Sequence, residues 1–263
     1  MNKLLSFTLA LAALLTLTAC APKPEETELH IFAAASMTET LDELIEAYRA
    51  VDPNVTVIPT YDSSGTLLTQ IQEGADCDLF ISASPKQMDA LDEAGSLLEG
   101  TRVDLLENKV TLAVPQGNPK GIENFDQLAQ LLESGDVLLA VGNSDVPVGQ
   151  YTQKIFAYYG LDEASLAGAL TYGSNVKEVT TQVSEGTVDC GIIYATDAFS
   201  AGLTVVDSAT EEMCGQVIYP AAVLAGSKHP EEARAFLDLL RGNSTRDDAV
   251  RKMFEAVGFS PIR

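Results

Sequence analysis

Three features of the chain predict an α/β protein of two similar lobes. Short apolar strands alternate with amphipathic helices along its length. A segment of the first half recurs in the second: "TQIQEG" at 69–74 lies over "TQVSEG" at 181–186, 112 positions on, and "DCDLFISA" is answered by "VDCGIIYA". Two apolar stretches, 107–119 and 214–227, are placed to carry the chain from one lobe to the other and back.

The elements follow in order. "ELHIFAAAS" reads as a strand, and 38–49 as a helix with Leu41, Leu44, Ile45 and Tyr48 on one face. "VTVIPTY" is a strand, and 66–73 a helix that buries Leu67, Leu68 and Ile71 and stops at Gly74. "CDLFISAS" and "PKQMDALDEAGSL" repeat the alternation. In the second half, "VLLAVGNSDVPVGQYTQKIFAYYG" reads as strand, loop and helix, followed by "LTYGSNVKEVTTQVSEG" and "TVDCGIIYATDA". The terminal helices "PEEARAFLDLLRG" and "TRDDAVRKMFEAVGF" are expected to cover the first lobe.

Met1-Asn2-Lys3 and the apolar run 4–17 read as a secretory signal. "LTAC" ends it like a bacterial lipoprotein box, so residues 1–19 are expected to be removed and Cys20 to carry lipid. Residues 20–27, within which the polar, Pro-containing "APKPEET" follows the Cys, then serve as a tether. The body is expected to be extracytoplasmic, either held at the outer face of the cell membrane or periplasmic, and to act as a monomer. With Lys+Arg 16 against Asp+Glu 38, the formal charge of −22 argues against a nucleic-acid partner. Besides Cys20 there are Cys77, Cys190 and Cys214, which cannot all pair within one chain. No Cys/His spacing suggests zinc or another metal cation site. One disulfide is possible, and the sequence does not choose it.

The loops carry the chemistry. Ser36 ends a strand and opens a helix, and with Glu39 it makes an S-x-x-E capping pattern. A helix start also offers free N–H groups and the positive end of a dipole, and these can hold an anion without a charged side chain. Ser63-Ser64-Gly65, Pro147-Val148-Gly149 and Ser174-Asn175-Val176 repeat the arrangement. Ser36 and Val148 are 112 positions apart, as are Ser64 and Val176, so four helix starts pair two by two across the lobes. Lys177 is the only cation in these loops. Neutral donors of this kind suit a dehydrated oxyanion, and they act at contact distance while the overall negative field is screened over about 8 Å.

The segments "FAAASM", "SSGTLLTQI..GADCDLFISAS", "DVPVGQY", "NVKEV..V..GTVDCGIIYATDA" and "YPAAVL" together resemble the periplasmic molybdate-binding proteins of ABC importers, across nearly the whole mature length. The resemblance implies a type II periplasmic binding protein fold, each lobe a mixed sheet flanked by helices, with the ligand cleft between them. Lobe 1 would comprise 28–107 and 217–263, and lobe 2 108–216. It implies an oxyanion, molybdate or tungstate, held by the hydroxyls of Ser36 and Ser64, the backbone N–H groups of Val148 and Val176, and the Tyr194 hydroxyl. It also implies delivery to a membrane permease, no cofactor and no catalysis. Val148 replaces the family's usual Ala, and Lys177 a common Arg. Asp78 and Asp197 are expected to be structural caps, since a carboxylate beside a dianion is unfavourable. Two rival readings are a receptor of the same fold for another oxyanion, such as sulfate, and an extracellular hydrolase. The hydrolase lacks a G-x-S-x-G motif, and neither His30 nor His229 has a convincing nucleophile partner. A third, the effector lobe of a transcription regulator, lacks a DNA-binding segment.

Overall fold

The computed structural model describes residues 26–242 and 247–262. The signal, Cys20 and most of the tether lie outside the described residues. The chain builds two mixed sheets. The first contains β1 (Thr27–Ala34), β2 (Val55–Asp62), β3 (Leu79–Ile81), β4 (Val103–Asn108), β10 (Val217–Val223) and β11 (Ser260–Pro261), in the order β11-β4-β10-β3-β1-β2. The second contains β5 (Val110–Val114), β6 (Leu139–Gly142), β7 (Leu170–Gly173), β8 (Cys190–Tyr194) and β9 (Thr204–Ser208), in the order β7-β6-β8-β5-β9.

The internal repeat is visible in this topology. β1 lies parallel to both β2 and β3, and β6 lies parallel to both β7 and β8. An antiparallel strand then follows in each sheet: β10 beside β3, and β5 beside β8. The chain passes from the first sheet to the second at Lys109, between β4 and β5, and returns between β9 and β10. The stretch expected to be one continuous crossing strand, 107–119, is therefore two strands broken at Lys109.

Parallel strands need crossover helices, and these cover both faces of the sheets. In the first half they are α1 (Thr38–Tyr48), α2 (Ser64–Gln72) and α3 (Pro85–Glu93). In the second they are α4 (Phe125–Ser134), α5 (Pro147–Tyr159), α6 (Val176–Ser184), α7 (Ala195–Ser200) and the short α8 (Glu211–Cys214). α9 (Pro230–Leu240) packs on β10, with Phe236 edge-on to Tyr48 of α1 at 4.9 Å. α10 (Asp247–Val257) contacts α1 and β11, as expected for a terminal helix covering the first half, and it also touches α7 of the second.

One apolar core runs through both halves, and a smaller cluster around Phe32, Leu67, Phe80 and Met88 fills the space under α2 and α3. Cys77, Cys190 and Cys214 are buried and unpaired. Among the described residues no helix is long and apolar enough to cross a membrane.

Every β–α loop of the parallel strands opens at the carboxyl end of its strand, and the two sheets bring these ends face to face. The two halves come close at Gly65. A Cβ placed there would overlap the Asp145 carbonyl oxygen in the β6–α5 loop of the opposite half. Gly65 lies in a helix without positive φ, so Gly65→Ala should favour α2 by roughly 0.5–1 kcal/mol. The same methyl should hold the halves apart and weaken ligand binding by about 1–3 kcal/mol, the usual penalty for an overpacked contact. Paired urea unfolding and calorimetric titration test this. Full affinity in Gly65→Ala would show that the halves need not meet at this point.

Candidate functional site

Ser36, Ser64, Val148, Val176 and Tyr194 come from five different loops, and all of them line one small cavity. Each is buried. Ala34, Ala35, Asp62, Ser63, Ala83, Val146 and Pro147 complete the lining, and among the described residues that form it there is no Lys, Arg or His.

The helix starts are built differently. Ser36 does not cap a helix. It sits in a 3₁₀ turn, Ala35–Met37, and α1 begins after Met37 with no side-chain cap. The capping role suggested by S-x-x-E is therefore not realised, and the Ser36 hydroxyl instead meets the Tyr219 hydroxyl at 2.8 Å. At α2 the cap is Ser63, which accepts the Thr66 N–H at 3.1 Å. Ser64 is thereby released from capping. Its Oγ accepts the Ala83 N–H at 2.9 Å, so its own proton points elsewhere. At α5 Pro147 occupies the first turn, and no side chain caps the N–H groups that follow, including that of Val148. At α6 Asn175 caps the Glu178 N–H at 3.1 Å, which leaves the Val176 N–H at the open end of the helix.

Tyr194 ends β8 and is 1 % exposed, yet among the described residues its hydroxyl has no partner in hydrogen-bonding position. Burial, more than the neighbouring Tyr219, Tyr151 and Asp197, holds its pKa well above the ordinary phenol value. It therefore remains a donor at any physiological pH. The Tyr219 ring stands edge-on at 5.7 Å, and its hydroxyl is among the neighbours that raise that pKa. Buried hydroxyls without a partner are rare, and this one faces a cavity rimmed by helix starts.

Contacts between the halves seal the cavity. Asn175 donates to Asp62 Oδ1 at 3.3 Å, an oxygen that also accepts the Ser63 N–H at 2.7 Å. Lys177 reaches across to both carboxylate oxygens of Glu39, at 2.8 and 2.7 Å, and stands 3.3 Å from Asp197 Oδ1. The residue whose purpose the sequence left open thus ties the α6 start to α1. Of the two expected caps, Asp78 accepts the His30 N–H and the Ser227 hydroxyl, at 2.8 and 2.6 Å, and so joins the β1 and β3 region to the β10 exit. Asp197 is not a cap: it stands in the first turn of α7, whose cap position is Tyr194, and Lys177 lies 3.3 Å from its Oδ1.

The sequence did not single out Asn108, Ala83 or Asp62. Tyr219 was visible only as part of "YPAAVL". A wider solvent-open groove lies between α3 and α5, but Asp89 and Glu93 stand beside its lysines, Lys86 and Lys154, and an anion there would stay hydrated.

Residues 29–260 match the family described as Bacterial extracellular solute-binding protein. The chain belongs to that family. A provisionally named ABC transporter substrate-binding lipoprotein, YvgL, of Bacillus subtilis (strain 168) is 31% identical over 261 residues, covering 97% of this chain and 96% of its own. The molybdate-binding protein ModA of Escherichia coli (strain K12) is 30% identical over 241 residues, 90% of each chain. The periplasmic molybdate-binding protein of Azotobacter vinelandii superposes with a TM-score of 0.76 at 19% identity, covering 89% of this chain and 100% of that one, and so shares the periplasmic binding protein fold. Similarity extends to one protein named for catalysis, an aconitate isomerase of Pseudomonas sp., 28% identical over 97% of this chain and 96% of its own.

Burial pushes the Asp197 carboxyl up to about 6; Lys177 and Thr196 pull against that shift, and Glu39 adds to it. Between its ordinary value near 3.8 and about 6, the folded protein holds a proton here that the unfolded chain has lost. The ionised group therefore disfavours the fold above about 6, and that penalty disappears on acidification. Stability of wild type relative to Asp197→Asn should rise as the pH falls from 7 to 4.5, by on the order of 2 kcal/mol. Urea unfolding at both pH values measures it, and a flat difference would place the titration of Asp197 outside this window.

Proposed function

We propose that this protein is the receptor of an ABC importer, capturing molybdate, and tungstate with it, between two lobes and presenting it to a membrane permease. The lobes are residues 28–107 with 217–263, and residues 108–216. The observation that carries the reading is the convergence of Ser36, Ser64, Val148, Val176 and the unpartnered Tyr194 hydroxyl on one small buried cavity without a cationic side chain. Hydroxyl and amide donors suit molybdenum as an oxyanion, not as a cation. The names of the Escherichia coli and Azotobacter relatives support this choice of anion.

In this mechanism the open lobes each offer part of the donor set. An anion held by the Ser36 and Ser64 side draws the α5 and α6 starts onto its far face. Closure then forms the Lys177–Glu39 and Asn175–Asp62 contacts and removes the anion from water. Fixed N–H and O–H dipoles replace its hydration shell, which works only when every oxygen finds a donor.

The protein binds and does not catalyse. Asp62, the carboxylate on the lining, is engaged by Ser63 and Asn175, and the other polar groups are donors that hold charge without moving a proton. Turnover of aconitate by the mature protein would reverse this reading. The N-terminal signal and the lipid on Cys20 complete the proposal, supported by the name of the Bacillus relative. Cys20→Ser should release the protein from the membrane fraction, and retention there would refute the anchor.

Thermal shift against molybdate, tungstate, sulfate and phosphate tests the ligand. A bound anion at 100 times its Kd stabilises by about 2.7 kcal/mol. Molybdate and tungstate should both do so and sulfate should not, because its shorter bonds leave donors unpaired. A response to sulfate alone would identify the rival receptor. Ser36→Ala, Ser64→Ala and Tyr194→Phe should each weaken molybdate by about 1.5–3 kcal/mol, one hydrogen bond to a charged group, while Val148→Ala should keep affinity. If all three donor variants bind as wild type does, the site assignment is wrong.

A further inference from the structure

Behind Ser36 stands a chain of buried polar groups that the site itself does not require. Asn108 ends β4, just before the chain crosses to the second sheet. Its Oδ1 accepts the Lys109 N–H at 2.8 Å, so its Nδ2 hydrogens must go the other way: one to Thr196 Oγ1 at 3.0 Å, the other to Tyr219 Oη at 3.1 Å. Tyr219 is fully buried on β10, where the register slips between Tyr219 and Pro220 and re-aims the side chain. Its bonded partners are Asn108 and Ser36. An amide NH₂ cannot accept, which leaves Ser36 Oγ as the bonded partner able to take the phenolic proton. Burial holds Tyr219 well above the ordinary phenol value, so that proton stays in place.

The consequence reaches the cavity. With the phenolic proton on that bond, Ser36 Oγ accepts from behind and its own proton turns toward the cavity. Ser64 is placed in the same way by the Ala83 N–H. We infer that Tyr219, held by Asn108, is a positioning residue that makes Ser36 an obligate donor, and that this relay selects tetrahedral oxyanions carrying no proton. A hydroxyl free to rotate serves either an oxyanion or an acidic O–H; one locked as a donor opposes an O–H with another O–H. The inference rests on reading the cavity as an oxyanion site.

The experiment compares two dianions of equal charge, molybdate and hydrogen arsenate, at a pH where arsenate keeps one proton. Binding is measured by calorimetry and by competition against tungstate. The mature wild type is set beside Ser36→Ala, Tyr219→Phe and Asn108→Asp. Tyr219→Phe frees Ser36 to accept, and should weaken molybdate by about tenfold while weakening hydrogen arsenate less, so that the preference for molybdate falls. Asn108→Asp is close to isosteric, and its carboxylate accepts from Tyr219 and so reverses the relay. It should lower the preference further, while its added charge acts alike on both dianions. A purely structural role for Tyr219 would weaken both anions equally. An unchanged ratio in both relay variants, with Ser36→Ala weakened, overturns this inference alone. Full molybdate affinity in Ser36→Ala also overturns this inference, while full affinity in Ser36→Ala, Ser64→Ala and Tyr194→Phe alike overturns the oxyanion site itself.

Discussion

A helix start that faces a closed cavity presents N–H groups that bulk water cannot reach. Three helix starts and one 3₁₀ turn of this chain face the same small space. Such groups are costly when unpaired, and several dipoles pointing inward repel one another. The arrangement is tolerable only if the cavity opens to water or receives something negative. Much of the surrounding structure answers to that condition: small Ala34 and Ala35 at the rim, Pro147 where an N–H is dispensable, and seals that tie the two halves together at Asp62, Glu39 and Gly65.

The seals differ in kind. Gly65 against Asp145 is a steric fit of backbone on backbone. Lys177 with Glu39 is an exposed ion pair of modest strength, whose value lies in direction because both partners sit on elements that line or flank the cavity. Asp197 works against the fold when ionised and stays buried beside Tyr194 all the same. Desolvated charge of this kind is found where a function holds it in place. An edge-to-face chain of Tyr151, Tyr194, Tyr219 and Phe259 runs past it from the second half into the first, with successive centroids 6.4, 5.7 and 5.2 Å apart.

What the sequence revealed was local or periodic. The strand-to-helix junctions at Ser64, Val148 and Val176 were legible because an apolar run changes to a 3.6-residue period at those points. The 112-residue offset then paired them without any knowledge of the sheets. Ser36 was located by the same change of period, but its local pattern suggested a cap where the chain makes a 3₁₀ turn, since S-x-x-E cannot show which way a hydroxyl is pulled. The relay was out of reach. Ser36 and Tyr219 are 183 positions apart, Asn108 and Tyr219 111, and Lys177 and Glu39 138, and only the crossing of the chain between sheets brings them together. The break at Lys109 was also hidden, because apolar alternation continues smoothly through two strands that belong to different sheets.

The position of β10 has a consequence for how this protein comes into being. The second sheet is drawn from one continuous stretch and can pair all its strands as soon as that stretch exists. The first cannot, because its interior strand between β3 and β4 is β10, made nearly last. Until residues 217–223 arrive, β3 keeps an unpaired apolar edge, the kind of surface on which newly exported chains stick to one another. The same strand carries Tyr219 to the back of Ser36. Insertion of β10 therefore closes the hazardous edge and brings the Tyr219 hydroxyl to Ser36 in a single event, and a chain cut short before it has neither a finished sheet nor that contact.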